Sequence, residues 1–237
     1  CLASTTRPHA TAWAQESLEC DLLVQNGQIV DGTGNPWFHG DLAIKGDRIV
    51  AIGRLPNAKA KRRIDAQGLV VSPGFIDIHS HSDLLLFEDG GAPSKIRQGV
   101  TTEVLGEGQS SGPYQGKLSA KSVMVRGEEI RWTTLGGYFD ALERSGVAVN
   151  VASYVGLDNL WQSVMGNSHA PPTAEQFEEM KRLLDEAMRD GASGLSTMLA
   201  MPPGSLATTD QLVELSRIVA RHGGIYSTHN RLSLIHI

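Results

Sequence analysis

"GFIDIHSHSD", residues 74–83, decides how the chain is read. It opens as an apolar strand and ends on two histidines two positions apart, His79 and His81. Asp77 stands before them and Asp83 after. On a strand, residues i and i+2 point to one face. Two neutral imidazoles at one strand end can hold a zinc-like ion at about 2.0–2.1 Å. The competing reading is a pair of exposed histidines in a loop, and an isolated pair does not choose between the two.

The sequence downstream supplies a frame for that strand. Strand patterns in "FIDIHSH", "VTTEVLGEG", "VAVNVASYVG", "SGLSTMLA" and "GIYSTH" alternate with helical patterns in "APSKIRQG", "LGGYFDALERSG", "TAEQFEEMKRLLDEAMRDGA" and "TTDQLVELSRIVARHG". In the third helix Thr173 and Gln176 have capping-box spacing, and Phe177, Met180, Leu183, Leu184 and Met188 form one apolar face. Such alternation predicts an α/β fold with parallel strands and right-handed crossovers. A barrel and an open doubly wound sheet both fit. No Gly-rich phosphate loop follows the first strand, which disfavours a nucleotide-binding open sheet. Both architectures place their sites at strand C-terminal ends.

Glu107 ends the second strand and His229 ends the fifth. With His79 and His81 they make a candidate ligand set for one or two divalent ions, Zn²⁺ first, other divalent metals also fitting. The plain alternatives are a solvated loop carboxylate and a capped strand end. Glu103 shares a face with Glu107 in a regular strand, where burial without a partner is costly. Asp77 is placed to orient the histidines from behind, and Asp83 to cap the following loop. His222, at a helix C-terminus, reads as structural. Ser196, Thr197 and the loop around Asp158 and Asn159 are candidate pocket contacts, polar loop filling being the alternative.

Upstream, residues 19–72 read as a small β-unit, too short to be comfortable alone. Asn26-Gly27 and Gly46-Asp47 predict two tight hairpin turns. Residues 1–18 lack periodicity. Ala12-Trp13-Ala14 fits a small-x-small cleavage pattern, but no apolar core precedes it. A disordered leader and a signal remnant are both open, and with them a cytoplasmic or an exported location. Cys1 and Cys20 have no metal spacing. The net charge of −5 and the lack of a basic run argue against a nucleic-acid partner. No apolar stretch is long enough to span a membrane. Oligomeric state is not legible.

The stretches "DLLVQNGQIVDGTG", "SPGFIDIHSHSD", "QGVTTEVLGEG", "GASGLSTMLAMPPGSLATTDQL" and "GGIYSTHNR" together resemble the amidohydrolase superfamily, in particular the N-acyl-D-amino-acid deacylases, over most of residues 20–231. The resemblance implies a TIM-like (β/α)8 barrel with a small β-sandwich, and metal-dependent hydrolysis of an amide. It implies that His79 and His81 are strand-one ligands. His229, in the T-H-x-R pattern from Thr228 to Arg231, is the strand-five ligand. The implied substrate is a small N-acyl amino acid or related amide. Cyclic-amide hydrolysis and a non-catalytic barrel scaffold are the rivals.

The chain departs from the family pattern in several places. Strand four carries no lysine for the bridging carboxylated lysine often found there. In the pattern G-V-T-T-x-V-x-G-N-C-G the cysteine position falls on Gly108, and Glu107, one place earlier, is taken as the bridge. Leu157 and Trp161 stand where the family has histidine and arginine, and Met201 where it has tyrosine. A missing arginine removes a natural clamp for a substrate carboxylate. Only five of eight barrel strands are legible within residues 73–231, so the barrel is expected to be incomplete. The expected strand-six histidine and strand-eight catalytic aspartate are not reached, and no catalytic residue is named. The 237 residues alone are expected to bind metal poorly and not to catalyse. "LSLIHI", residues 232–237, reads as a foreign tail.

Overall fold

The computed structural model describes residues 18–231, so the readings of a leader and a foreign tail lie outside the described residues. Two units meet between Pro73 and Gly74, where the sequence rhythm changes.

The first unit is one five-stranded sheet. Its strands are β1 (Glu19–Ile29), β2 (Phe38–Lys45), β3 (Arg48–Gly53), β4 (Lys59–Asp65) and β5 (Val70–Val71). The order is β3-β2-β1-β4, with β5 paired to β1. Gly46, at φ +59, lies in the β2–β3 turn that Gly46-Asp47 predicts. Asn26-Gly27 makes no hairpin. It is a bulge inside β1, whose two halves both pair with β2. Asn26 takes φ +62, its amide donates to Asp41 Oδ1 (3.0 Å), and its side chain donates to Asp65 Oδ1 (2.9 Å). A Cβ on Gly27 would meet Val71 at 2.6 Å. The positive φ that an Asn-Gly pair supplies is thus spent on bending one strand.

The second unit runs β6 (Phe75–Asp77), α1 (Leu85–Glu88), α2 (Pro93–Ile96), β7 (Val100–Leu105), the hairpin β8 (Lys121–Val125) and β9 (Glu128–Trp132), then α3 (Leu135–Ser145). It continues with β10 (Asn150–Gly156), α4 (Leu157–Met165), α5 (Ala174–Arg189), β11 (Gly194–Met198), α6 (Thr209–Arg221) and β12 (Ile225–His229). The strands β12-β11-β10-β7-β6 form one curled parallel sheet, five strands of an incomplete TIM-like barrel. Thr173 caps α5 through a reciprocal capping box with Gln176, and Thr208 caps α6 the same way with Gln211.

Two elements are weakly marked in the sequence. In α4, Leu157, Leu160, Trp161, Val164 and Met165 keep helical spacing, but the helix is only nine residues long and follows β10 directly at Gly156, with no side-chain cap to mark its start. The β8–β9 turn uses Arg126 at φ +52 and Gly127 at φ +88, without the Asn-Gly or Asp-Gly pair that advertises such a turn.

Leu105, Val155 and Leu195, all 0% exposed, project from the sheet into a core closed by Leu135, Tyr138, Leu160, Trp161, Leu184 and Leu215. Each such side chain contributes about 1.5–3 kcal/mol on burial. These residues define the helix-facing side of the sheet. No helix among the described residues is long and apolar enough to cross a membrane.

Candidate metal centre

Strand register assigns each functional residue to a face. Glu103 pairs with Val151 and Asp77, and Leu105 with Ser153. Neighbours in parallel register point the same way, so Glu103 and Asp77 lie with Leu105 on the helix-facing side. Across β11 and β12, Leu195 pairs with Tyr226, Ser196 with Ser227, Thr197 with Thr228 and Met198 with His229. Ser196, Ser227 and His229 therefore occupy the opposite face, away from the helices.

Two breaks in alternation complete that face. β6 ends at Asp77, and His79 to His81 follow in a bend rather than on the strand. Ser80 N still reaches Val104 O at 3.0 Å, which keeps the bend against β7. After β7, Gly106 takes φ +83 and redirects the chain. Glu107 thereby leaves the face of Glu103 and Leu105, although the three alternate in sequence.

The result brings His79, Glu107 and His229 together, with one ligand atom from each within 4.8 Å of the others. Donors around one tetrahedral zinc lie roughly 3.4 Å apart at the usual bond lengths. Two imidazoles and a carboxylate at this spacing fit a zinc-like ion with small side-chain rotations. Glu107 is 5% exposed, and its Oε1 accepts from Ser227 Oγ at 2.7 Å, which aims the carboxylate. The His79 and His229 rings sit edge to face, centroids 5.3 Å apart. His81 lies outside the three-donor group, but its Nε2 is 3.2 Å from that of His79.

The remaining candidates stand as follows. Ser196 donates to Gly106 O and accepts from Gly108 N (2.9 Å), bracketing Glu107 from a fully buried position. Thr197 lies on the helix-facing side and bonds Thr228 Oγ1 (2.7 Å) and Tyr226 Oη (2.9 Å). Asn159 holds the segment after the metal centre, accepting from Ser110 N (2.7 Å) and donating to Ser110 O (2.9 Å). Arg231 donates to Ser205 O (2.7 Å) and Ala207 O (2.6 Å). Asp77 is paired with Lys95 Nζ at 2.5 Å and accepts from the His79 backbone amide at 3.2 Å. Lys95 and that amide hold its carboxyl below the usual range. Asp83 accepts from Ser111 Oγ at 3.3 Å, and burial raises its pKa. His222 Nε2 pairs with Asp185 Oδ1 at 2.8 Å.

Trp161, at the family's arginine position, is 1% exposed, and its Nε1 donates to Ser168 O (3.1 Å). It is a core residue and offers a substrate nothing. The sequence reading passed over Lys95, Ser80, Ser82 and Ser227. Ser227 was open to discovery, since it precedes His229 by two and so shares its face.

Asp158, in the first turn of α4, is 7% exposed, and its Oδ1 has no partner among the described residues. Burial pushes its pKa up to about 6, against a smaller opposing pull from the Gly204 backbone amide. A raised folded-state value favours the neutral acid, so its contribution to stability is full below about 3.8 and is lost as pH rises through about 6. The charged form costs up to about 3 kcal/mol. Asp158→Asn is therefore expected to melt well above the parent at pH 8 and close to it at pH 3.5. A melting difference that does not change with pH would refute this.

Residues 62–224 match the amidohydrolase family. The chain is 41% identical over 219 residues to a D-aminoacylase of Alcaligenes xylosoxydans xylosoxydans, covering 91% of this chain and 45% of that protein. It is 40% identical to an N-acyl-D-glutamate deacylase of the same organism, covering 92% and 44%. Among solved structures it superposes on the N-acyl-D-glutamate deacylase of Bordetella bronchiseptica with a TM-score of 0.80 at 36% identity, over 90% of this chain and 45% of that one. That enzyme is complexed with zinc and a phosphonate inhibitor that mimics the tetrahedral intermediate of the reaction. The chain spans a little under half the length of the curated relatives it matches.

Proposed function

We propose, for a chain that belongs to the amidohydrolase family, that the protein carrying it hydrolyses the linear amide of an N-acyl amino acid at a zinc centre built on His79, Glu107 and His229. The observation that carries this reading is the meeting of three donors from the ends of three different strands of one barrel sheet. The deacylases it resembles in sequence support the substrate class.

Zinc, when bound, lowers the pKa of a water ligand to about 7 and polarises the scissile carbonyl. The chain's own residues prepare that chemistry. His79 and His229 offer ring nitrogens, and Glu107 offers a carboxylate oxygen, to a divalent ion. Ser227 fixes one Glu107 oxygen, which leaves the other free to turn to an ion. His81, next to His79, is the added donor for a wider shell or a second ion. Ser196, tied to the backbone on both sides of Glu107, keeps the carboxylate from swinging away.

The test uses the protein expressed from the complete reading frame that encodes these residues. It is offered N-acetyl-D-amino acids, their L-enantiomers and hydantoin, and amine release and ring opening are followed. The expected result is amine release from N-acetyl-D-amino acids, abolished by a chelator and restored by zinc. Ring opening alone would replace the proposal with a cyclic amidohydrolase. No turnover of any substrate would favour a binding scaffold.

A further inference from the structure

We propose that Glu103 is a positioning residue for the metal centre: from the helix-facing side of the sheet, it pins the two serines that alternate with His79 and His81. The inference rests on the metal-centre reading above and adds a residue that touches neither ion nor substrate.

Glu103 is 0% exposed in the middle of β7. Its Oε2 accepts from Ser80 Oγ at 2.5 Å and from Ser82 Oγ, and Lys95 Nζ stands 3.6 Å away. The serine hydroxyls are 3.1 Å apart. Lys95 Nζ also reaches Ser80 Oγ at 3.2 Å and Asp77 Oδ2 at 2.5 Å, while Asp77 Oδ1 holds the His79 amide. The bend that carries both histidines is thus gripped at residues 77, 79, 80 and 82, and every side-chain grip leads to Glu103 or to its lysine, beside one backbone bond from Ser80 N to Val104 O.

Packing does not provide that restraint. The His79 and His81 rings are exposed. A cavity of about 420 Å³, lined in part by Ser80, His81, Ser82, Leu86 and Lys95, leaves room beside the bend. The bend is also too short to hold itself, because β6 has already ended at Asp77. One backbone bond, Ser80 N to Val104 O, holds the bend at a single point, and the hydroxyl bonds to Glu103 add the restraint on either side of His81.

Glu103 is an expensive choice for a merely structural residue. Its Oε1 is buried without a partner among the described residues. Burying an incompletely bonded carboxylate costs stability, and an apolar side chain of similar volume is often as good or better. What an apolar residue cannot do is accept from two serines at once. Partners behind a metal-binding histidine shape affinity in this way by fixing ring orientation.

The experiment is a zinc titration against a chromophoric chelator, with thermal melting in parallel. It compares the protein expressed from the complete reading frame that encodes these residues, its Glu103→Met variant and the double variant Ser80→Ala/Ser82→Ala. The expected result is zinc affinity weakened about 10–100-fold in both variants, with the Glu103→Met melting temperature equal to or above the parent's. If Glu103→Met fails to fold, the serine variant decides, since it leaves Glu103 beside Lys95. Unchanged zinc affinity in folded variants would overturn this inference and leave the metal-centre reading standing. A parent that binds no zinc would overturn both.

Discussion

His79→Asn is expected to weaken zinc binding by about 100-fold or more, the largest loss of affinity from a single side chain that leaves the fold intact. Outer partners of a metal-binding histidine are worth about 10–100-fold, and a direct donor stands at or above that range. His79 is the donor the others share. It faces His229 edge to face and lies 3.2 Å from His81, nitrogen to nitrogen. Its ring is exposed and fills no part of the core, so melting is expected to move by no more than about 0.5 kcal/mol. His81→Asn is expected to cost less, because His79, Glu107 and His229 survive as a three-donor group. Isothermal titration with zinc chloride checks both. Parent-like affinity in His79→Asn would remove the metal centre, and an equal loss in both variants would add His81 to the primary set.

How much of this was legible beforehand depended on how far simple alternation ran. The parallel sheet was readable because strand and helix periods alternate from Phe75 to His229, interrupted only by the β8–β9 hairpin among the long connections. His79, Glu107 and His229 were findable because barrel strands gather their C-terminal ends. What the sequence concealed are the places where alternation breaks. Glu103 and Glu107 share a parity, yet Gly106 sends them to opposite faces. Asp77 and His79 share one too, yet the bend after β6 gives Asp77 to Lys95 and brings His79 beside Glu107 and His229. Ser196 and Thr197 are adjacent and both buried, and only register shows that one brackets Glu107 while the other bonds Thr228. α4 was hidden for a different reason. Its apolar residues keep helical spacing, but it runs on from β10 at Gly156 with neither a loop nor a side-chain cap to announce it.

Gly106→Ala is expected to destabilise the chain by about 3 kcal/mol or more and to weaken zinc binding as far as loss of Glu107 itself. The residue sits at φ +83, a conformation that costs an L-side chain about 1–2 kcal/mol before any contact is counted. Space makes it worse. A Cβ there would lie 2.4 Å from Tyr154 O and 2.7 Å from Ser153 Oγ, so β7 and β10 would have to part where they pair. Glu107 follows directly, and its bond to Ser227 spans 120 residues of sequence, so a small shift of the turn takes the carboxylate out of reach. Gly127→Ala separates conformation from space. It has φ +88 and nothing within 4 Å of its missing Cβ, so it bears the backbone cost alone. Urea unfolding and zinc titration of the two variants side by side should show a modest loss of stability and parent-like zinc affinity for Gly127→Ala, against loss of both for Gly106→Ala. Equal destabilisation, or a Gly106→Ala chain that binds zinc like the parent, would mean that Glu107 is not brought to the centre by this turn.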